Sequence, residues 1–453
     1  MDRRHQTWAT SERFVPRRFV RPFARFTRIE AASGIVLLAA AATALIWANS
    51  KWSETYFQLL ETHLLIDFGP FHLDESLLHL VNDGLMAIFF FVVGLEIKRQ
   101  LVLGDLSDPK AAALPVIAAL GGMIFPAAIY LLLNVDAGGE AIRGWGIPMA
   151  TDIAFAVGVL ALLGSRVSSG AKLFLLALAI ADDIGAITVI AIFYTEHLEL
   201  RYLALAVGGL VLARLASLVH VRSLAFYVPL GVVVWFLTLK SGVHATLAGV
   251  ALGLLTPARP MYPADEFDRR ARAILDTFPN EPDSSEAREH ADHEALLLSD
   301  ISAEAVSPLS RLEHRLQIWS SFIVVPLFAL ANAGIDFRGV DIVDAVTSSV
   351  ALGVAAGLVV GKTVGISLFA LIAVRTGVGR LPAGTGWTHV VGLAAVAGIG
   401  FTVALFVASL AFTDPALEDL AKVGIFAGSI VAGVVGALIL FRARPARDHE
   451  PAP

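Results

Sequence analysis

The stretch Leu173–Tyr194, LFLLALAIADDIGAITVIAIFY, decides how this chain is read. Its 22 residues are almost unbroken apolar sequence, with two adjacent carboxylates, Asp182 and Asp183, near the centre. As a helix rising about 1.5 Å per residue it matches the roughly 30 Å hydrocarbon core of a bilayer. The pair then lies on the order of 15 Å from either surface, where ionisable groups are costly and mark pathways for ions or protons. Neighbours on a helix are about 100° apart, so the two carboxylates cannot face one partner. One can line a water-filled cavity while the other points at a neighbouring helix. A carboxyl balanced between desolvation and a nearby cation can trade a proton for a metal ion near neutral pH.

Composition agrees with a membrane setting. Of 453 residues, 56% are hydrophobic and 16% charged, with a mean hydropathy of +0.72; soluble proteins carry about 25% charged residues. The chain has no cysteine, which excludes disulfides, thiolate catalysis and Cys-based zinc sites. Apolar segments fall near 31–49, 77–97, 111–133, 144–164, 173–194, 202–218, 223–239, 243–256, 317–335, 345–374, 386–412 and 418–441. These predict an all-α polytopic membrane protein of about twelve spans, residues 31–256 carrying eight and 313–441 four. An even count puts both termini on one side. With that side cytoplasmic, 27 of the 34 Lys and Arg lie in cytoplasmic tails and loops. Six (Lys51, Arg143, Arg201, Lys240, Arg338, Lys422) lie opposite, and Lys362 falls within a span. The asymmetry predicts cytoplasmic termini.

Residues 1–30 read as an uncleaved basic tail on the anionic inner leaflet, and 442–453 as a second cytoplasmic tail. The segment 257–312 is rich in Asp, Glu, Arg and His and reads as a solvated cytoplasmic loop with no more than a short helix. Between the first two spans, Ile66–Leu73 alternates with period two around Gly69-Pro70. That pattern predicts an extracytoplasmic β-hairpin near 62–76, whose edge can pair with a second copy to form a homodimer.

Three further constellations accompany the acidic pair. Thr151 and Asp152 follow Pro148 inside the fourth span and mark a helix break, where Asp152 can offset the positive end of the next half-helix or bind a cation. Lys362 sits in Gly361-Lys362-Thr363; a phosphate loop needs a glycine at 356, which is Ala356, so that reading fails. A buried ammonium needs a carboxylate, and Asp182 or Asp183 is available. Gly398-Ile399-Gly400-Phe401-Thr402 interrupts the eleventh span. Two broken spans in corresponding places predict an inverted-repeat transporter whose site lies near the midplane, where the breaks cross.

At this level of detail the chain resembles the NhaA family of bacterial sodium/proton antiporters. The resemblance runs from about residue 28 to 441, apart from 257–308. Its motifs are Val81–Arg99 (VNDGLMAIFFFVVGLEIKR), Ala150–Ala156 (ATDIAFA), Leu178–Ile187 (LAIADDIGAI), Ser241–Gly249 (SGVHATLAG) and Gly398–Thr402 (GIGFT). It implies Asp183 as the main Na+ ligand and proton carrier, Asp182 beside it, and Lys362 paired with Asp182. Thr151 and Asp152 would lie in the unwound crossing. It further implies a polar line of Asp83, Glu96 and Arg99 toward the cytoplasm, a pH-sensing cluster at Glu313 and His314, and a pH-linked His244. Gln100 stands where the family often has Glu, Thr363 where Pro is frequent, and Gln317 where a histidine is expected; the loop before Glu313 is longer than usual.

The implied activity is Na+ or Li+ exchange for H+ by alternating access, an electrogenic and pH-regulated process of a bacterial inner membrane, with no cofactor, no catalytic residues and no nucleic-acid partner. Oxygen-only ligands suit hard cations. The alternative on the same architecture is a sodium-coupled solute symporter. An intramembrane aspartyl protease would need its two acids on different helices, and Gly-x-Gly-Asp is absent.

Overall fold

The computed structural model describes residues 32–443 apart from 69–70, 196–197, 220, 222, 280–283, 339–341 and 383. The expected N-terminal tail, the Gly69-Pro70 turn and nearly all of the C-terminal tail lie outside the described residues.

The chain opens with α1 (Ala32–Ala48) and a short α2 (Ser53–Glu61), bent from it by 111°. Strands β1 (His63–Phe68) and β2 (Phe71–Ser76) pair antiparallel from His63↔Ser76 to Phe68↔Phe71. Then come α3 (Leu77–Val102) and α4 (Pro109–Asn134). A 3₁₀ helix, Gly139–Met149, leads at 41° into α5 (Ile153–Leu163). Helices α6 (Ser169–Phe193), α7 (Leu200–Leu218), α8 (Leu224–Lys240) and α9 (Thr246–Leu255) follow. After α10 (Ala264–Thr277) and α11 (Ser285–Glu304), α12 (Pro308–Asn332) returns to apolar sequence. The short α13 (Ile342–Thr347) precedes α14 (Ser349–Arg375). The pair α15 (Trp387–Val396) and α16 (Phe401–Ala411) is bent by 48°, and α17 (Pro415–Arg442) ends the fold. Among the described residues, seven helices are long and apolar enough to cross a membrane, or up to ten with each bent pair counted as one span. The chain is a multi-pass membrane protein.

Local chemistry starts several of these helices. Asp108-Pro109, Ser307-Pro308 and Asp414-Pro415 each place an acceptor side chain at the N-cap and a proline, with its fixed φ and no N–H, at the first helical position. Ser307 starts α12 nine residues before the apolar pattern begins at 317, because its first turns run outside the apolar region. Three long helices contain a π-helical turn: Leu80–Leu85 in α3, Ser320–Val324 in α12 and Gly357–Gly361 in α14. Such turns re-aim the side chains that follow.

The segment 257–312 departs from its sequence reading, since it forms two helices rather than a loop with one short helix. The cause is local. Ser284 caps α11 by accepting from Ala287 N, and Glu266–Arg270 and Asp268–Arg272 pair at i,i+4 along α10. The Arg272 guanidinium holds the Asp268 carboxyl below its ordinary range. Two backbone bonds, Met261 N to Glu304 O (3.0 Å) and Leu309 N to Pro257 O (3.2 Å), tie the ends of this insert together.

Large apolar side chains such as Leu162, Leu132 and Ile46 point outward, the expected face toward lipid tails. Inside, small residues let backbones approach. A Cβ on Gly94 of α3 would meet the Val250 carbonyl oxygen of α9 at 2.7 Å, and one on Gly253 would meet the Phe91 carbonyl oxygen at 2.7 Å. Gly94→Val should therefore separate α3 from α9 and cost about 1–3 kcal/mol, as overpacking does. Thermal melting of the detergent-solubilised variant tests this; an unchanged melting temperature would show that the contact does not constrain the helices.

Candidate cation site

Three elements carry the charges of the site. Asp182 and Asp183, at the middle of α6, are 1% and 5% exposed. Lys362, fully buried, directly follows the π turn of α14. Thr151 and Asp152 occupy the gap between the 3₁₀ helix and α5. The matching gap, residues 397–400, separates α15 from α16.

The two gaps touch. Asp152 N donates to Ile399 O at 2.7 Å. Asp152 Oδ1 accepts from Phe155 N at 3.1 Å and so caps α5. Its Oδ2 accepts from Thr402 N at 3.1 Å and from the Thr402 hydroxyl, and so caps α16 as well. One carboxylate thus faces the positive ends of two half-helices. A Cβ on Gly398 would fall on the Leu358 carbonyl oxygen, which explains the glycine there. Phe401 packs edge-on against Phe155, with centroids 5.0 Å apart.

Lys362 Nζ forms an ion pair with Asp182 Oδ2 and donates to Thr151 Oγ1 at 2.9 Å. The Thr151 hydroxyl lies 2.7 Å from Asp182 Oδ2 and 2.8 Å from Ala397 O, so its single proton serves one acceptor at a time. Asp182 Oδ1 is buried and has no hydrogen-bond partner. Asp183 makes no hydrogen bond or ion pair among the described residues, and the charges acting on it are Asp182, Lys362 and Asp152.

These contacts set a charge balance. Each half-helix N-terminus carries roughly +0.5 charge, so two of them offset Asp152. Lys362 offsets Asp182. Asp183 is the carboxylate left without compensation, and a cation or a proton is what completes it. The donor set is oxygen alone, which suits a small hard cation.

The remaining expected residues lie elsewhere. Glu96, Arg99 and Glu313 meet where α3 and α12 leave the apolar region. Arg99 Nη1 is 3.0 Å from Glu313 Oε1, Arg99 Nη2 is 3.5 Å from Glu96 Oε1, and Gln100 Nε2 donates to Glu96 Oε1 at 3.0 Å. His314 lines a cavity of about 450 Å³ with Arg99, Arg311, Arg315 and Gln317. Asp83 does not join this line. It stands 13 positions before Glu96 on α3, about 20 Å along the helix, and its charged neighbours are His79 and Glu75. Lying in the π turn at the other end of the helix, it cannot share a cluster with Arg99. His244 Nε2 contacts Tyr194 O at 2.8 Å, at the end of α6 and away from the acidic pair. Sequence reasoning missed Ser429 of α17, whose Oγ accepts from Gly400 N and Phe401 N, both at 3.2 Å. A polar residue buried in an otherwise apolar run was the available signal.

Lys362→Ala leaves Asp182 buried without its countercharge, a change that should cost about 3–5 kcal/mol. Adding Asp182→Asn should recover much of that loss in detergent melting curves. Equal melting of the single and double variants would mean that the two side chains are not held together as an ion pair.

Known proteins share this arrangement's sequence along nearly the whole chain. A family model described as Na+/H+ antiporter 1 matches residues 24–440. A protein of Koribacter versatilis named Na(+)/H(+) antiporter NhaA is 47% identical over 433 residues, covering 95% of this chain and 94% of its own. Proteins of the same name from Anaeromyxobacter sp. (48% identical; 96% and 94% covered) and Acidithiobacillus ferrooxidans (46%; 95% and 99%) agree. The chain belongs to the Na+/H+ antiporter 1 family.

Proposed function

We propose that this protein is a secondary antiporter that expels Na+, or Li+, in exchange for H+. The observation that carries the reading is Asp183, a buried carboxylate with no hydrogen-bond or ion-pair partner among the described residues, beside a balanced Asp182–Lys362 pair. Na+ and H+ compete for it, so binding one displaces the other. Asp182 offers its free Oδ1 as a second Na+ ligand. When Na+ draws Asp182 away, Lys362 loses its countercharge and can release a proton, which makes two protons per Na+, and electrogenic exchange, chemically accessible. Transport rather than bond-breaking chemistry is the activity, and the exchange calls on no cofactor. The relatives' names give the symporter alternative no support.

Counting the short α8 and α9 and each bent pair of the interrupted segments as spans gives twelve: α1, α3, α4, 139–163, α6, α7, α8, α9, α12, α14, 387–411 and α17. In this reading the interrupted fourth and eleventh spans run in opposite directions, as inverted-topology repeats require, and their crossing near the midplane rocks to expose the site to each side in turn. Both termini and the insert 257–312 face the cytoplasm of a bacterial inner membrane, with 31–256 and 313–441 forming the membrane domain. The basic tail 1–30 lies on the anionic leaflet, and 442–453 is a second cytoplasmic tail. The hairpin 62–76 joins two copies through its free edge, and lipid surrounds the remaining surface. Glu96, Arg99, Glu313 and His314 adjust the exchange to cytoplasmic pH, and Asp83 and His244 act on the opposite side.

In everted vesicles holding a proton gradient, Na+ and Li+ should dissipate the gradient and K+ should not; an equal K+ response would remove the selectivity. Asp183→Asn should abolish the response in a protein that still melts cooperatively, and retained exchange would remove Asp183 from the centre. Because one carboxylate serves both cations, the apparent KM for Na+ should rise as pH falls, up to about tenfold per unit where one proton competes. A KM independent of pH would rule out competition.

A further inference from the structure

We propose that Ser429 is a positioning residue for exchange: from α17 it caps the second half of the interrupted eleventh span and thereby sets the charge felt at the cation site. This rests on the exchange reading above.

The half-helix α16 begins without a cap of its own, because Gly400 has no side chain. Its first amides lie in the protein interior, where an unmet N–H is costly. Three are met from other helices. Ser429 Oγ accepts from Gly400 N and Phe401 N, each at 3.2 Å, and Asp152 Oδ2 accepts from Thr402 N at 3.1 Å. Ser429 is buried on the face of α17 that packs on α16. The neighbouring α5 uses a different device, its own Asp152 Oδ1 on Phe155 N.

The division of labour matters because Asp152 directly follows Thr151, whose hydroxyl contacts both Asp182 and Lys362. With Ser429 holding two amides, Asp152 need meet only one amide of α16 and one of α5. Without the hydroxyl, the positive end of α16 is less screened and Asp152 is drawn toward it. The less screened helix end raises the potential at the cation site and weakens Na+ binding there.

Ser429→Ala should raise the apparent KM for Na+ at alkaline pH about two- to fivefold, the scale of a helix-end charge effect, with the maximal rate little changed. Ser429→Thr, which keeps the hydroxyl, should restore the wild-type KM. A Ser429→Ala variant that melts at lower temperature with an unchanged KM would reduce Ser429 to a structural role and overturn the proposal. Amide hydrogen exchange reads the cap without transport. Phe401 N–H should exchange faster in Ser429→Ala and at the wild-type rate in Ser429→Thr. Unchanged protection overturns the proposal whether or not the protein carries Na+, whereas lost protection in a protein with no Na+ response would fault the exchange reading alone.

Discussion

Everything in this structure answers to the cost of holding charge in the middle of a bilayer-spanning helical bundle. Asp152, Asp182, Asp183 and Lys362 are all buried. A lone charge there is costly by any measure, and removing one member of a buried pair is worse than never having built it. The bundle offsets two of its carboxylates by different means. Lys362 neutralises Asp182 through a direct ion pair, and the broken helices neutralise Asp152 through their amides. Asp183 has neither. On the exchange reading proposed above, the carboxylate without compensation is the place where a cation gains most.

The two means of compensation are not equivalent. Backbone amides do not titrate, so Asp152 is held by a field that pH cannot remove. Asp182 is held instead by a single side chain, the Lys362 ammonium. The breaks at 150–152 and 397–400 are needed to hold Asp152 in this way, since a continuous helix would present no free amides at that depth. They are held together by Asp152 N to Ile399 O, by Asp152 on Thr402, and by Ser429 on Gly400 and Phe401.

Much of this was legible in the sequence, for physical reasons. A long apolar helix with two central acids has few meanings, and Pro148 before Thr151-Asp152 and the glycines at 398 and 400 advertise breaks because neither residue type favours a continuous helix. What remained hidden depends on tertiary placement. Ser429 looks like any small residue in an apolar run until Gly400 is brought against it. Asp83 shares a helix with Glu96 and Arg99, and only length along the helix shows that it cannot share their cluster. Helices α10 and α11 carry too little apolar periodicity to be seen that way. Their signals were the Ser284 cap and the i,i+4 charge pairs, which are weak singly and additive over two helices.

The Glu96–Arg99–Glu313 cluster extends the same reasoning to the C-terminal end of α3 and the N-terminal end of α12. One arginine faces two carboxylates, Glu96 and Glu313. Gln100 donates to Glu96, where a glutamate would instead add a third negative charge. Gln100 therefore spares the cluster that repulsion. The Arg99–Glu313 pair joins α3 to α12, each of which contains a π turn farther along its length. A change of charge in this cluster would bear on helices that already depart from regular geometry within the bundle.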